Sequence, residues 1–183
     1  METTGKIAVL ATVAAVERQA LEEQFERLMR EHGASIARMA AAYENNPTNR
    51  DDLVQDIALA LWRALPQFRG ECSERTLVFR IAHNRAVTHM GRRQKSPRDL
   101  DDAFDPADSR ATPEVLAAAS QFRDRLMAAV QRLPLGHRQV IVLLLEGMAH
   151  GEIAEVLGIS ESNVAVRANR ARKELRSLLG ELK

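Results

Sequence analysis

The chain has 183 residues, a formal net charge of +1, and 45% hydrophobic but only 4% aromatic residues. That length suits one medium domain or two small ones, and a core drawn from Leu, Val, Ile, Ala and Met favours small helical bundles over sandwiches. A single cysteine, Cys72, excludes an intrachain disulfide and a cysteine zinc site, and fits a reducing cytoplasm.

The apolar run Ile7–Val16 follows one lysine and leads directly into a charged helical pattern. It is too short to span a membrane and lacks the small-residue cleavage region of a signal peptide, so residues 1–19 are read as a helical or frayed extension, with disorder slightly favoured. From Glu17 to Tyr43, Leu21, Phe25, Leu28, Met29, Ile36, Met39 and Ala40 recur at helical spacing, and a break is expected near Gly33. Asn45, Asn46, Pro47, Thr48 and Asn49 are turn formers that end this helix, and Asp51 or Asp52 is expected to cap the next.

Along Asp52–Leu65, Leu53, Ile57, Leu61 and Leu65 form one apolar stripe, enough for a domain core. Val54, Ala58, Leu59 and Trp62 remain, beside a line of Asp52, Gln55, Asp56 and Arg63. The surplus reads equally as a docking face for a partner or as Trp62 filling its own core. Pro66–Ser73 is a turn-rich connection. Thr76–Met90 returns to helix, with Leu77, Ile81 and Met90 apolar, and six arginines face two acids between Arg69 and Arg93. By itself such a run is usually a solvated face.

Lys95–Pro113 holds three prolines and five aspartates with few apolar residues, and reads as a mobile linker between two domains. Glu114–Leu133 is amphipathic (Val115, Leu116, Phe122, Leu126, Met127, Val130, Leu133) and stops at Pro134. The apolar run Val140–Leu145 could be a buried strand, but no second strand is near to pair with it, so a buried helix ending at Gly147 is expected. A short apolar segment (Ile153, Ala154, Val156, Leu157) then meets Gly158, and in the next segment Val164, Ala168, Ala171, Leu175 and Leu178 fall on one helical face. Asn163, Arg170, Lys173 and Arg176 lie on the other. Val164–Arg176 carries five basic residues and one acid, whereas Asp99–Asp108 carries five acids and no base. A short helix, a glycine turn and a basic second helix make a helix-turn-helix, a DNA-binding pattern.

Three blocks, residues 51–71 (DDLVQDIALALWRALPQFRGE), 74–86 (ERTLVFRIAHNRA) and 133–175, together resemble an extracytoplasmic-function sigma factor of the sigma-70 superfamily. The resemblance spans about Phe25 to Leu179. It implies an all-α chain with an N-terminal extension (1–19), a region 2 helical bundle (20–94), a flexible acidic linker (95–112) and a region 4 helix-turn-helix domain (113–183). It further implies core RNA polymerase and promoter DNA as partners, with an anti-sigma factor, a cytoplasmic location, no membrane insertion, no cofactor and no enzymatic activity.

The same resemblance gives residue roles. Asp52, Gln55, Asp56, Leu59 and Trp62 would dock on polymerase. Arg69, Arg75, Arg80, Asn84 and Arg85 would hold the opened minus-ten strand, where extruded bases need a pocket and phosphates need arginines. Glu161, Ser162, Asn163 and Val166 would lie near base edges of the minus-thirty-five duplex, and Arg167, Arg170, Arg172 and Lys173 near its phosphates. The chain departs from the family pattern at Leu77 (commonly Trp), Thr88 (commonly Asp), Asn163–Val166 (commonly Thr-Val-Lys-Ser) and Ala149 (commonly Ser, a better helix cap).

The alternative is a stand-alone helix-turn-helix regulator, which would explain residues 150–179 but not the surplus face of 52–65. An enzyme finds little support. His83 and His89 are six apart, off ligand spacing; Cys72 lacks a nucleophile signature; and no glycine-rich phosphate loop occurs.

Overall fold

The computed structural model describes residues 2–93 and 113–181, with side chains from 15 to 92 and from 121 to 180. It contains α1 (Glu2–Tyr43), α2 (Pro47–Ala64) with a 3-10 turn at Leu65–Gln67, α3 (Glu74–Arg93), α4 (Pro113–Arg132), α5 (Leu135–Leu145), α6 (His150–Leu157) and α7 (Glu161–Glu181), and no strand among the described residues. The all-α expectation holds. The expected linker, 95–112, lies outside the described residues.

Two boundaries and one buried face differ from the sequence reading. α1 begins at Glu2 and runs unbroken through Gly33, so the extension is helical rather than disordered. Alanines and long side chains fill that stretch, and one glycine inside a helix costs only about 1 kcal/mol against Ala. α2 starts at Pro47, with Asn46 as its cap: the Asn46 side chain accepts the Asn49 N–H at 3.1 Å. Proline is pre-set for a first helical position, so the cap precedes it and Asp51 and Asp52 lie within the helix. In α3 the fully buried line is Val78, Phe79, Ala82 and Ala86, with Thr76 and His83, while Leu77, Ile81 and Met90 are only partly buried. Ser73 Oγ accepts the Thr76 N–H at 3.0 Å and caps this helix.

α1, α2 and α3 pack as one bundle around Leu28, Ile36, Met39, Leu53, Ile57, Leu61 and Phe79. α5, α6 and α7 form a second, around Val140, Leu143, Ile153, Val164, Ala168 and Ala171. The apolar run at Val140 is helical as expected, and Gly147 (φ 73°) turns the chain after it. α4 joins the two, touching α1, α5 and α7, and α6 lies against α3, so the buried cluster is continuous. At the seam, Gln131 donates to the Ala41 carbonyl at 2.7 Å. Arg138 lies over the Tyr43 ring at 5.8 Å and donates to the carbonyls of Gln131 and Leu133.

Candidate functional site

The C-terminal motif is built by burial on one side. α6 ends in Gly158 at φ 64° and ψ 36°, a left-handed turn that glycine adopts without Cβ strain. α7 then starts from Ser160, whose Oγ accepts the Asn163 N–H at 3.2 Å. Val164, Ala168 and Ala171 are wholly buried. With 3.6 residues per turn, the opposite face presents Ser162, Val166, Arg170 and Lys173, all exposed. Asn163 stands at one shoulder of that face, and Glu161 and Arg172 at the other, also exposed. Arg167 is different. Its Nε donates to Asn163 Oδ1 at 2.9 Å, and its guanidinium leans on the start of α5, where a Cβ added to Gly136 would meet it at 3.5 Å. That bond leaves the Asn163 amide nitrogen as the group free to donate. The α6 N-terminus lacks a side-chain cap at Ala149, yet Glu152 Oε2 accepts the Ala149 N–H at 2.7 Å, which keeps half of a capping box.

A second concave site lies between α2 and α3. It is a cavity of about 300 Å³ lined by Ala60, Ile81, Asn84, Arg85 and Thr88. Its apolar wall is small and its rim is polar, the composition of a pocket for a flat, partly polar group. Arg85 Nη1 is 3.7 Å from Asp56 Oδ2, and Thr88 Oγ1 donates to the Asn84 carbonyl at 2.8 Å. Behind the rim, His83 is buried with Nε2 unpartnered, and burial pushes its pKa down, so the ring is neutral.

Of the five arginines and asparagines expected to meet an opened strand, this pocket brings together Asn84 and Arg85. Arg69 is exposed on the loop before α3. Arg75 and Arg80 lie elsewhere, against the C-terminal bundle. Arg75 Nη2 donates to the Glu146 carbonyl at 2.7 Å, with Nη1 at 3.9 Å from Glu152 Oε1. Arg80 Nη2 donates to Glu155, at 3.2 Å to the carbonyl and 3.4 Å to the carboxylate. Beside them Arg38 grips the Glu146 carboxylate at 2.6 and 2.8 Å. Sequence reasoning missed Arg38, Glu146, Glu152 and Glu155 because nothing in their spacing marks a contact between residues 71 to 108 positions apart. It also missed Thr88 as a pocket residue, although Thr88 lies one helical turn beyond Asn84.

The remaining surface is the outer face of α2. Asp52 and Gln55 are exposed, Asp56 is half-exposed, and Leu59 is 46% exposed, unusual for leucine on a helix with a full core stripe. Trp62 is half-buried and meets Phe25 edge-on, centroids 5.4 Å apart. The ring thus packs in part on α1, as the core reading expects, and the rest stays at the surface. Among the described residues, no three His, Cys, Asp or Glu side chains are placed to hold a metal, and no helix is long and apolar enough to cross a membrane.

Two family models match the chain: Sigma-70 region 2 over residues 28–96, and Sigma-70, region 4 over residues 123–175. The RNA polymerase sigma factor CnrH of Cupriavidus metallidurans is 34% identical over 180 residues, 93% of each chain. The ECF RNA polymerase sigma factor SigM of Mycobacterium tuberculosis is 30% identical over 160 residues, covering 86% of this chain and 78% of that one. Among solved structures, CnrH in complex with the cytosolic domain of CnrY superposes with a TM-score of 0.67 at 30% identity, over 90% of this chain and 94% of that one. The sigma factor RpoE of Bartonella quintana, solved with the anti-sigma factor NepR, shares the fold with a TM-score of 0.69 at 21% identity, over 86% and 98%.

Proposed function

We propose residue-level roles for a chain that belongs to the sigma-70 family of RNA polymerase sigma factors, in its extracytoplasmic-function branch. As such a factor it binds core RNA polymerase and directs promoter recognition and transcription initiation. Residues 20–94 serve as region 2 and 113–183 as region 4, joined through 95–112. The outer face of α2, with Asp52, Gln55, Asp56, Leu59 and Trp62, docks on polymerase, with Leu59 its exposed apolar anchor.

The pocket of Ala60, Ile81, Asn84, Arg85 and Thr88 receives a base extruded from the opening minus-ten element, and Arg69, Arg75 and Arg80 hold the strand. Thr88 stands where the family commonly has an aspartate, so this rim is less acidic and offers a hydroxyl in its place. On α7, Ser162, Asn163 and Val166 approach base edges of the minus-thirty-five duplex with Glu161 beside them. Arg170 and Lys173 meet phosphate, Arg172 flanks them, and Arg167 holds Asn163 in place. A cytoplasmic protein without covalent chemistry, regulated by an anti-sigma factor, completes the reading; CnrH was captured with the cytosolic domain of CnrY, and RpoE with the anti-sigma factor NepR.

The observation that carries this reading is the coexistence of a polar-rimmed pocket between α2 and α3, an exposed basic face on α7 and an exposed Leu59 on α2. Reconstituted transcription with cognate core enzyme tests it. Promoter-dependent initiation that requires Leu59 is expected. DNA binding by the free chain, with no capture of core polymerase, would instead favour the stand-alone regulator.

A further inference from the structure

Asn163 lies in the first turn of α7, the end of a recognition helix from which side chains reach base edges. Ser160 Oγ takes its backbone N–H at 3.2 Å and so fixes the point at which the side chain leaves the helix. An asparagine is an ambivalent reader of bases. Its amide oxygen accepts, its amide nitrogen donates, and a half-turn about the last side-chain bond exchanges the two. An unrestrained asparagine can therefore meet a donor edge or an acceptor edge.

Arg167 removes that choice. A guanidinium only donates, so the atom that Arg167 Nε meets at 2.9 Å is the amide oxygen. Arg167 stands one helical turn after Asn163 and is half-buried, with its guanidinium against the start of α5 at Gly136. A flipped amide would lose this charge-assisted bond and set its own N–H groups against another N–H. A bond of that kind favours one orientation by about tenfold or more. Water excluded by a bound duplex strengthens the preference. The amide nitrogen, turned away from Arg167, carries two hydrogens without a partner among the described residues.

We infer that Arg167 is a positioning residue that makes Asn163 a donor-only reader of duplex DNA, selecting guanine or thymine over adenine or cytosine at one position of the upstream element. This rests on the placement of Asn163 at base edges. Guanine presents the acceptors O6 and N7 in the major groove, and thymine presents O4. Cytosine presents only its N4 amino donor there. Adenine is read by asparagine through both amide atoms, with the oxygen accepting from N6, and here that oxygen already accepts from a cation.

Holoenzyme reconstituted from the full chain and cognate core polymerase tests the inference by selecting from a linear duplex library randomised throughout the promoter region, with the bound fraction sequenced. Asn163→Ala should erase base preference at one upstream position, and wild type should favour guanine or thymine there by about tenfold. Arg167→Met keeps a long stem against α5 but removes the donor. It should cut that preference to about threefold or less, with adenine gaining most as the freed amide pairs with N6 and N7. Ratios at the other positions should hold even where overall affinity falls, because a lost phosphate contact weakens all sequences alike. An unchanged preference in Arg167→Met overturns the proposal and leaves Asn163 a base reader. No position dependent on Asn163 overturns its placement at base edges, and the proposal with it.

Asn163→Asp gives an independent arm. The carboxylate matches the amide in shape, retains the bond to Arg167 and can only accept, so the favoured base at the same position should change to cytosine or adenine, whose amino groups donate. Asn163 is exposed, so this variant disturbs no packing and carries the test alone if Arg167→Met fails to fold. Guanine or thymine still favoured by Asn163→Asp would overturn the proposal, as would a wild-type preference for adenine or cytosine.

Discussion

Replacing Arg170 and Lys173 together by alanine examines whether α7 grips DNA through its outer face. Both side chains are exposed and lie across the helix from Val164, Ala168 and Ala171, which are wholly buried. Alanine raises helix propensity slightly and disturbs no buried contact, so folding should change by less than about 0.5 kcal/mol. If each side chain neutralises one phosphate, each contributes about −0.9 to the slope of log K against log salt, and the pair about −1.8. Over a fourfold rise from about 50 to 200 mM salt, the ratio of wild-type to variant affinity should then shrink about twelvefold. Fluorescence anisotropy on a labelled upstream duplex, repeated across that range with the thermal midpoint of both proteins checked, measures it. Parallel salt slopes, even with weaker variant binding, would refute the phosphate role.

Leu59→Arg should abolish capture of core polymerase in a pull-down while leaving the thermal midpoint within a degree or two, because Leu59 is 46% exposed. It is a cleaner probe than Asp56→Arg, which also places like charge beside Arg85 at the pocket rim. Gly158→Ala should cost about 1–2 kcal/mol, since φ at 64° is left-handed, and lower the melting midpoint by several degrees; an unchanged midpoint would contradict the strained turn. His83 supplies a pH test. Burial lowers its folded pKa below the ordinary histidine value of about 6.5, so the unfolded chain binds more protons than the folded one as pH falls below that value. Its contribution is therefore fully present above about pH 6.5 and is lost on acidification towards the folded pKa. His83→Leu should flatten that part of the urea-midpoint profile; an unaltered slope would mean that His83 is not held neutral.

The periodic signals in the sequence carried the fold well. Val164, Ala168 and Ala171 were readable as a buried line, and the absence of a strand partner settled the run at Val140 as helix. Local chemistry was less legible wherever two signals competed. Asn46 and Asp52 are both good caps, and only the preference of Pro47 for the first helical position decides between them. In α3 the large residues Leu77 and Ile81 drew attention, but Val78, Phe79, Ala82 and Ala86 form the fully buried face, because α1 and α2 pack against a face of the helix one residue away from them. The arginines show the sharper limit. Arg69, Arg75, Arg80 and Arg85 are alike by type, and their separation into a loop, a domain seam and a pocket rim comes from contacts that span dozens of residues.

That separation explains why the net charge of +1 is a poor guide to partners. A near-neutral chain would ordinarily be a weak candidate for binding a polyanion, since non-specific affinity comes from neutralised phosphates. Here the charges are sorted onto different surfaces. α7 keeps its basic face open, while the arginines of α3 meet acids of α5 and α6 across the seam. The neutrality is partly internal pairing between the two bundles. Polymerase can then hold the two DNA contacts at a fixed separation, where each need only be weak, because joining them raises the effective concentration of the second once the first is made.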